Sequence, residues 1–274
     1  MKRAYEKSQY AKPCEQYCRE VYPHEAKAIF QKAEEYYLAF LKDMPDLGKN
    51  MMAKNMLDWF TILAFYEASG HRLDGETLLA IKRRAVDRVK FIGNIIDGNR
   101  QQWPYKLFER TYQRFIRMQQ AHQAKGEWMD SWKIELNPDH RTEGFCFHLI
   151  GCPIARHARE HGYETLLPYL CKTDHFLAEI MHARLIRTQT EALGGSYCDY
   201  WYVATKARRW KRTGIWSRYE KRSSGAEMVG KWNGSVDIYE NHDRRCILFS
   251  VLGRMLSRNR HGQEKSHRIA FLSR

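Results

Sequence analysis

The chain has 274 residues, of which 43% are hydrophobic and 13% aromatic. This length and composition allow a sizeable core and exclude general disorder. The opening residues MKRAYE lack the apolar segment of a secretory signal, and the apolar run 56–65 contains Asp58 and is too short to span a membrane. We therefore expect a cytoplasmic protein with no membrane partner.

The formal net charge of +14 at pH 7 is unevenly distributed. Residues 205–274 contain 17 Lys and Arg against 6 Asp and Glu, whereas residues 1–204 contain 29 against 26. We expect residues 1–204 to form the body and residues 205–274 a basic C-terminal extension. Nucleic acid is not an expected partner of the body. For the extension, a solvated or loosely helical segment and a nucleic-acid-binding segment both remain open.

The first 125 residues predict a layer of helices. Residues 23–42 and 49–69 have helical apolar spacing, and the second segment is apolar enough to be mostly buried. Residues 74–98 begin with a capping Asp74 and carry apolar residues in steps of three and four, which predicts one amphipathic helix. Another helix is predicted to start at Pro104, because proline is favoured in a first turn.

The hydrophobic period then changes to that of a sheet. Trp132, Ile134 and Leu136 alternate with polar residues, which is typical of a half-buried strand. We predict a three-stranded antiparallel sheet from residues 130–137, 184–193 and 197–203. A helix from Pro153 to Gly162 and a helical stretch over 167–183 lie between the strands. The predicted fold class is α+β, with a helical layer packed beside a small antiparallel sheet.

The sequence LGGSYCDYWY at 193–202 poses the question of what its two glycines do. A glycine loop that binds phosphate leads from a strand into a helix, whereas Gly194 and Gly195 lie between two predicted strands. This position favours a hairpin connection in which glycine supplies a positive φ.

The seven cysteines are an odd number spread over a long chain, so reduced thiols are expected. Cys152 precedes Pro153 and should occupy the N-cap of a helix, where the dipole lowers a thiol pKa. The alternative, of equal weight, is that Cys152 is a small apolar residue that anchors the start of the helix. Cys171, Asp174 and His175 have i, i+3, i+4 spacing, which places them on one helical face. This set could activate a nucleophile or position a water, unless Asp174 simply caps a helix.

The last predicted strand sends Cys198 and Asp199 to opposite faces, unless a bulge redirects one of them. Arg187 is a candidate to bind a substrate carboxylate, because its planar fork matches two oxygens, and pairing with Glu191 is the alternative. Zinc bound by the thiols is a minority alternative, since the sequence lacks paired C-x-x-C spacing.

The segments GCPIARHAREHG, LLPYLCKTD and LIRTQTEALGGSYCDYWY resemble, in order and spacing, the L-2-amino-thiazoline-4-carboxylic acid hydrolase family. The resemblance covers residues 127–204, and the preceding helices to about residue 125 are assigned to the same hydrolase-like domain, 1–204. It implies hydrolytic opening of a small cyclic amidine at a carbon–nitrogen bond, giving a carbamoyl-cysteine. The basic extension 205–274 lies outside the family pattern.

The resemblance also implies roles for individual residues. Cys171, Asp174 and Cys198 are the expected catalytic residues, and a thiolate or an activated water attacks the ring carbon. Arg187, Cys152 and Asp199 are expected to bind the small-molecule substrate, with no cofactor and no metal ligand. The alternative is a non-enzymatic or metal-binding protein in which the same cysteines are structural.

Overall fold

A computed structural model describes residues 3–87 and 89–205. Its α-helices are α1 (Ala11–Val21), α2 (Ala26–Phe40), α3 (Ala53–Ala68), α4 (Gly75–Asp87), α5 (Trp103–Gln123), α6 (Pro153–His161), α7 (Leu167–Lys172) and α8 (Asp174–Ile180). Its strands are β1 (Lys133–Leu136), β2 (Phe145–Ile150), β3 (Ala183–Ile186) and β4 (Cys198–Ala204). The predicted α+β class is confirmed.

Helix boundaries follow local signals in the sequence. The Asp74 carboxylate accepts the backbone N–H of Thr77 at 2.9 Å and so caps α4 as predicted. Pro104 lies in the first turn of α5. Helix α6 begins at Pro153 and ends before Gly162, whose φ of 76° is readily adopted by glycine.

The single helix predicted over 74–98 is wrong in its second half. Helix α4 ends at Asp87, and Lys90–Asn94 forms a 3-10 helix. A Cβ added at Gly93 would lie 2.4 Å from the Ile180 carbonyl oxygen. The N–H of Gly98 donates to the Met181 carbonyl at 2.7 Å. Close packing against the end of α8 therefore bends a segment whose apolar spacing alone predicts a straight helix.

The sheet has four antiparallel strands in the order β1-β2-β4-β3, not the three predicted. The sequence does not predict strand β2, because FCFHLI is apolar apart from His148 and shows no alternation. It is the central partner of β1 and β4 and is buried along almost its whole length. Burial of both faces removes the period-two signal that identifies half-buried strands.

The predicted strand 184–193 is too long. Pairing of β3 with β4 ends at Ile186 opposite Trp201, and Glu191–Leu193 forms a 3-10 helix. The hairpin interpretation of the Gly194-Gly195 segment is confirmed in outline, since β3 and β4 are antiparallel neighbours and Gly194 has a φ of 86°. The connection over 187–197 is a long loop, however, and not a tight turn.

Helix α3 forms the centre of the helical layer. Its Trp59, Phe60, Leu63 and Phe65 side chains are fully buried, as the apolar sequence predicts. Helix α5 packs on the sheet through Tyr112, whose ring centroid lies 4.8 Å from that of Phe147 on β2. Among residues 3–87 and 89–205, no helix combines the length and apolar character needed to cross a membrane.

The division into a body, 1–204, and a basic extension, 205–274, stays a prediction, because positions from 206 onward lie outside the described residues. A chain truncated after Thr205 should remain monodisperse and unfold cooperatively. The truncation removes most of the excess positive charge and keeps the core formed by the described residues. Size-exclusion chromatography and urea denaturation of the truncated and full-length chains test this. Aggregation of the truncated chain would show that the extension belongs to the folded domain.

Stability should depend on pH through His157, which is 5% exposed and accepts the Trp59 indole N–H at 3.3 Å. Burial, followed by the charge of His161, lowers the His157 pKa to about 4. In the unfolded chain His157 binds a proton near pH 6.5, whereas in the folded chain it does so only near pH 4. The free energy of unfolding is therefore highest above pH 6.5 and decreases as pH falls towards 4. We expect a loss of about 3 kcal/mol across this window.

Urea denaturation at pH 7.5 and pH 5 checks the effect. The variant His157→Gln should flatten the pH dependence, whereas His24→Gln, at an exposed position, should leave it unchanged. An equal slope in His157→Gln and wild type would assign the titration to another group.

Candidate active site

An ion pair between Arg187 and Asp174 lies at the centre of the candidate site. Arg187 follows β3, its side chain is 0% exposed, and its Nη2 donates to Asp174 Oδ2 at 2.8 Å. The guanidinium also donates to the carbonyl oxygens of Cys171 at 3.1 Å and Asp199 at 3.2 Å. It lies 3.9 Å from the ring centroid of Tyr200. Arg187 therefore joins helices α7 and α8 to strand β4.

One tyrosine contacts the Asp174 carboxylate, and three more lie within range of its charge. The Tyr200 hydroxyl donates to Asp174 Oδ2 at 3.1 Å. Burial raises the pKa of Tyr10, Tyr112, Tyr200 and Tyr202, and in each the negative charge of Asp174 raises it further. Asp174 is itself 36% exposed. The arrangement is a carboxylate among neutral phenols, with one side open to solvent.

Two of the three thiol residues contact Glu191 in the 3-10 helix Glu191–Leu193, and the third, Cys171, contacts Arg187 through its carbonyl oxygen. The Glu191 carboxylate accepts the Cys152 backbone N–H at 3.0 Å, and the Glu191 N–H donates to the Cys198 sulfur at 3.3 Å. Arg187 lowers and Asp174 raises the pKa of Cys171, so its thiol lies within range of both charges. The structure thus brings the predicted catalytic residues Cys171, Asp174 and Cys198 into one region, together with Cys152.

All three thiols are protonated at neutral pH. Burial raises the pKa of Cys152, raises that of Cys198 to about 12, and raises that of Cys171 well above its usual range even though Arg187 opposes the shift. Cys152 does occupy the N-cap of α6, where its sulfur accepts the Ala155 N–H at 3.4 Å. The lowered pKa predicted for Cys152 is wrong, because loss of hydration outweighs the helix N-terminus.

Asp199 points away from the thiols and organises the loop that follows β3. Its carboxylate accepts the backbone N–H groups of Thr188 and Gln189 at 2.8 Å, and the Thr188 hydroxyl at 2.8 Å. Cys198 and Asp199 therefore occupy opposite faces of β4, as the period-two alternation predicts. These bonds replace the ladder that the predicted strand 184–193 would have made.

Two expectations about individual residues change. Arg187 binds a carboxylate of the protein, but it is that of Asp174 and not that of Glu191, and its binding of a substrate carboxylate stays a prediction. The helix is interrupted at Thr173, so Cys171 lies at the end of α7, and Asp174 and His175 begin α8 instead of sharing one continuous face with it. Asp174 makes no capping hydrogen bond, and its orientation is set by Arg187 and Tyr200.

Three further cysteines lie in the part of the chain that the structure describes, and Cys246 lies outside it. Cys14, Cys18 and Cys146 are buried free thiols, and Cys146 lies on β2, on the other side of the sheet from Phe147 and the site. In the part of the chain that the structure describes, no three His, Cys, Asp or Glu side chains are grouped as metal ligands.

Sequence reasoning did not identify Tyr200 and Glu191 as parts of the site. Tyr200 is two residues from Cys198 on the same face of β4, so the period-two alternation of the strand indicates that it lies on the side of the site. The role of Glu191 depends on the 3-10 helix that replaces the end of the predicted strand, and the sequence pattern gives no sign of it.

Comparison with known families identifies the family of the chain. The model of the family described as L-2-amino-thiazoline-4-carboxylic acid hydrolase matches residues 49–202, more than half of the chain. The chain belongs to this hydrolase family. The match begins well before residue 127, so it includes helices α3, α4 and α5 as well as the sheet. Comparisons with curated proteins and with solved structures gave no match.

Removing the central guanidinium should destabilise the fold. Arg187→Met leaves the Cys171 and Asp199 carbonyls without their donor and Asp174 without its counter-charge, and we expect a loss of about 3 kcal/mol in the free energy of unfolding. Urea denaturation measures it. Arg184→Met, at an exposed position on the same strand, is the matched control and should cost less than about 0.5 kcal/mol. Equal costs for the two variants would contradict the central role of Arg187.

Proposed function

We propose that the chain hydrolyses a small cyclic amidine that carries a carboxylate, such as 2-amino-thiazoline-4-carboxylate, to a carbamoyl-cysteine. The observation that supports this most directly is the state of Asp174. Its Oδ2 is held by Arg187 and Tyr200, whereas its Oδ1 receives no hydrogen bond from the residues described. A fixed carboxylate with one free oxygen is suited to bind the N–H groups of an amidinium or to orient a water.

The surroundings of Asp174 fit a planar, cationic ring. Tyr200 contacts the carboxylate, and the Tyr10 and Tyr112 side chains lie within range of its charge. Aromatic faces attract cations, and the solvent-open side of Asp174 gives an amidinium access to it. Such a site selects a cyclic amidine by charge and shape without a cofactor.

The protonated thiols favour water, and not a thiolate, as the nucleophile. In the proposed step, water adds through its oxygen to ring carbon C2, which lies between sulfur and nitrogen, and Asp174 accepts one proton from it. The bond between C2 and the ring nitrogen then breaks. Both protons of the water end on that nitrogen, so the product is an S-carbamoyl-cysteine with a free amino group. The Cys171 and Cys198 thiols donate hydrogen bonds to the departing nitrogen.

Cys152, Arg187 and Asp199 have supporting roles in this scheme. Cys152 packs against the bound ring from the N-terminus of α6. Arg187 orients Asp174, and Asp199 fixes the loop that carries Arg187, so both act on the substrate through another residue. We place the reaction in the cytoplasm, where the thiols stay reduced.

The prediction is turnover of 2-amino-thiazoline-4-carboxylate by the purified chain, followed by mass spectrometry of the product. A thiol reagent identifies the bond that breaks, because cleavage of the carbon–sulfur bond releases a free thiol and cleavage of the carbon–nitrogen bond does not. Asp174→Asn, Cys171→Ser and Cys198→Ser should each lower kcat by roughly a hundredfold or more.

Cys146→Ser is the matched control and should retain activity. Full activity in Cys171→Ser, Cys198→Ser and Asp174→Asn would remove the proposed chemistry. Stoichiometric metal in the purified protein together with absent turnover would support the alternative of a metal-binding protein.

A further inference from the structure

Arg187 is not available to bind the carboxylate of the proposed substrate. The guanidinium is fully buried, donates to three protein oxygens and packs on Tyr200, so it has no free face for a second anion. A substrate with an amidinium at one end and a carboxylate at the other needs a cation near Asp174. That cation has to come from another element.

Lys82 on α4 is a cation near Asp174 that makes no ion pair with any residue the structure describes. Its Nζ donates to the neutral Gln9 side-chain oxygen at 2.5 Å and lies 4.9 Å from the ring centroid of Tyr10. Within 3–87 and 89–205, no Asp or Glu oxygen lies within 4 Å of this ammonium. The neighbouring Arg83, by contrast, pairs with Glu179 at 2.6 Å.

Two contacts connect Lys82 to the Asp174 region. The Tyr10 ring beneath the Lys82 ammonium interacts through its hydroxyl with the side chain of Thr173, the residue before Asp174. Helix α4 also packs against both α7 and α8, which meet at Thr173. The Lys82 ammonium therefore lies within range of the Asp174 charge, with Tyr10 between Lys82 and the residue before Asp174.

We infer that Lys82 binds the carboxylate of the substrate, so that Lys82 and Asp174 hold the two charged ends of one small zwitterionic ring. This inference rests on the proposed function for the identity of the ring, but it assigns the anion-binding residue on separate grounds. Lys82 is a specificity-determining residue that recognises the end of the substrate where no bond changes. It lies within the segment that matches the hydrolase family.

The electrostatics of Lys82 agree with an anion site. Burial lowers its pKa to about 8, and the charges of Asp58 and Asp174 oppose this shift. Asp58 is already satisfied, because it accepts hydrogen bonds from the Ser8 hydroxyl at 2.7 Å and from the Gln9 side chain at 2.7 Å. The ammonium is thus mostly protonated at pH 7 and partly desolvated, a state in which a bound carboxylate gives a strong interaction.

Calorimetric binding of two hydrolysis-resistant cyclic guanidines to the full chain tests the inference. One is 2-aminoimidazoline-4-carboxylate, and the other is 2-aminoimidazoline, which has the same cation without the carboxylate. The wild type should bind the carboxylated probe at least tenfold more tightly. Lys82→Met should abolish this advantage without changing affinity for 2-aminoimidazoline, and Lys82→Arg should retain most of it. Lys133→Met, at a side chain that is 70% exposed, is the matched control and should behave as wild type.

The outcomes separate the two proposals. The assignment of Lys82 is overturned if Lys82→Met leaves the affinity for the carboxylated probe unchanged, if it weakens both probes equally, or if the wild type binds neither probe. If the expected binding pattern appears but the wild type does not turn over 2-amino-thiazoline-4-carboxylate, the anion site stands and the proposed hydrolysis fails. In an active enzyme, Lys82→Met should raise KM for the carboxylated thiazoline and change kcat little.

Discussion

The buried guanidinium of Arg187 is the contact on which the rest of the site depends. A fully buried charge is tolerated only when it is paired and hydrogen-bonded. Arg187 meets this condition by binding a carboxylate from α8, a carbonyl from α7 and a carbonyl from β4. The need to satisfy one cation thus fixes the relative positions of the elements that carry Asp174, Cys171 and Cys198.

Burial affects the charged side chains of the site and its thiols in different ways. Charge is concentrated on Asp174, Arg187 and Lys82, whereas the three thiols are neutral because burial outweighs the nearby guanidinium. A protonated thiol donates a hydrogen bond and is a weak nucleophile. The cysteines of this site are therefore suited to assisting a reaction whose nucleophile is water.

The helical layer contributes directly to the site as well as supporting the sheet. Tyr112 on α5, Lys82 on α4 and Tyr10 before α1 all lie within range of the Asp174 charge. The family match, over residues 49–202, includes Lys82 and Tyr112 but not Tyr10. Residues far apart in sequence meet there because α4 packs against α7 and α8.

The sequence by itself determined the features that depend on near neighbours. Capping by Asp74, the Pro153 and Gly162 limits of α6, the alternation of β4 and the α+β class all follow from local chemistry and from the change of hydrophobic period. The family resemblance also came from short ordered motifs.

Tertiary structure alone decided the features that depend on distant partners. Strand β2 lost its alternation because both of its faces are buried, and 3-10 geometry at Lys90–Asn94 follows from packing against the end of α8. The partner of Arg187 and the protonation of the thiols depend on which groups meet and how far water is excluded. Hydration and long-range pairing are properties of the packed chain, so no local pattern of residues could have specified them.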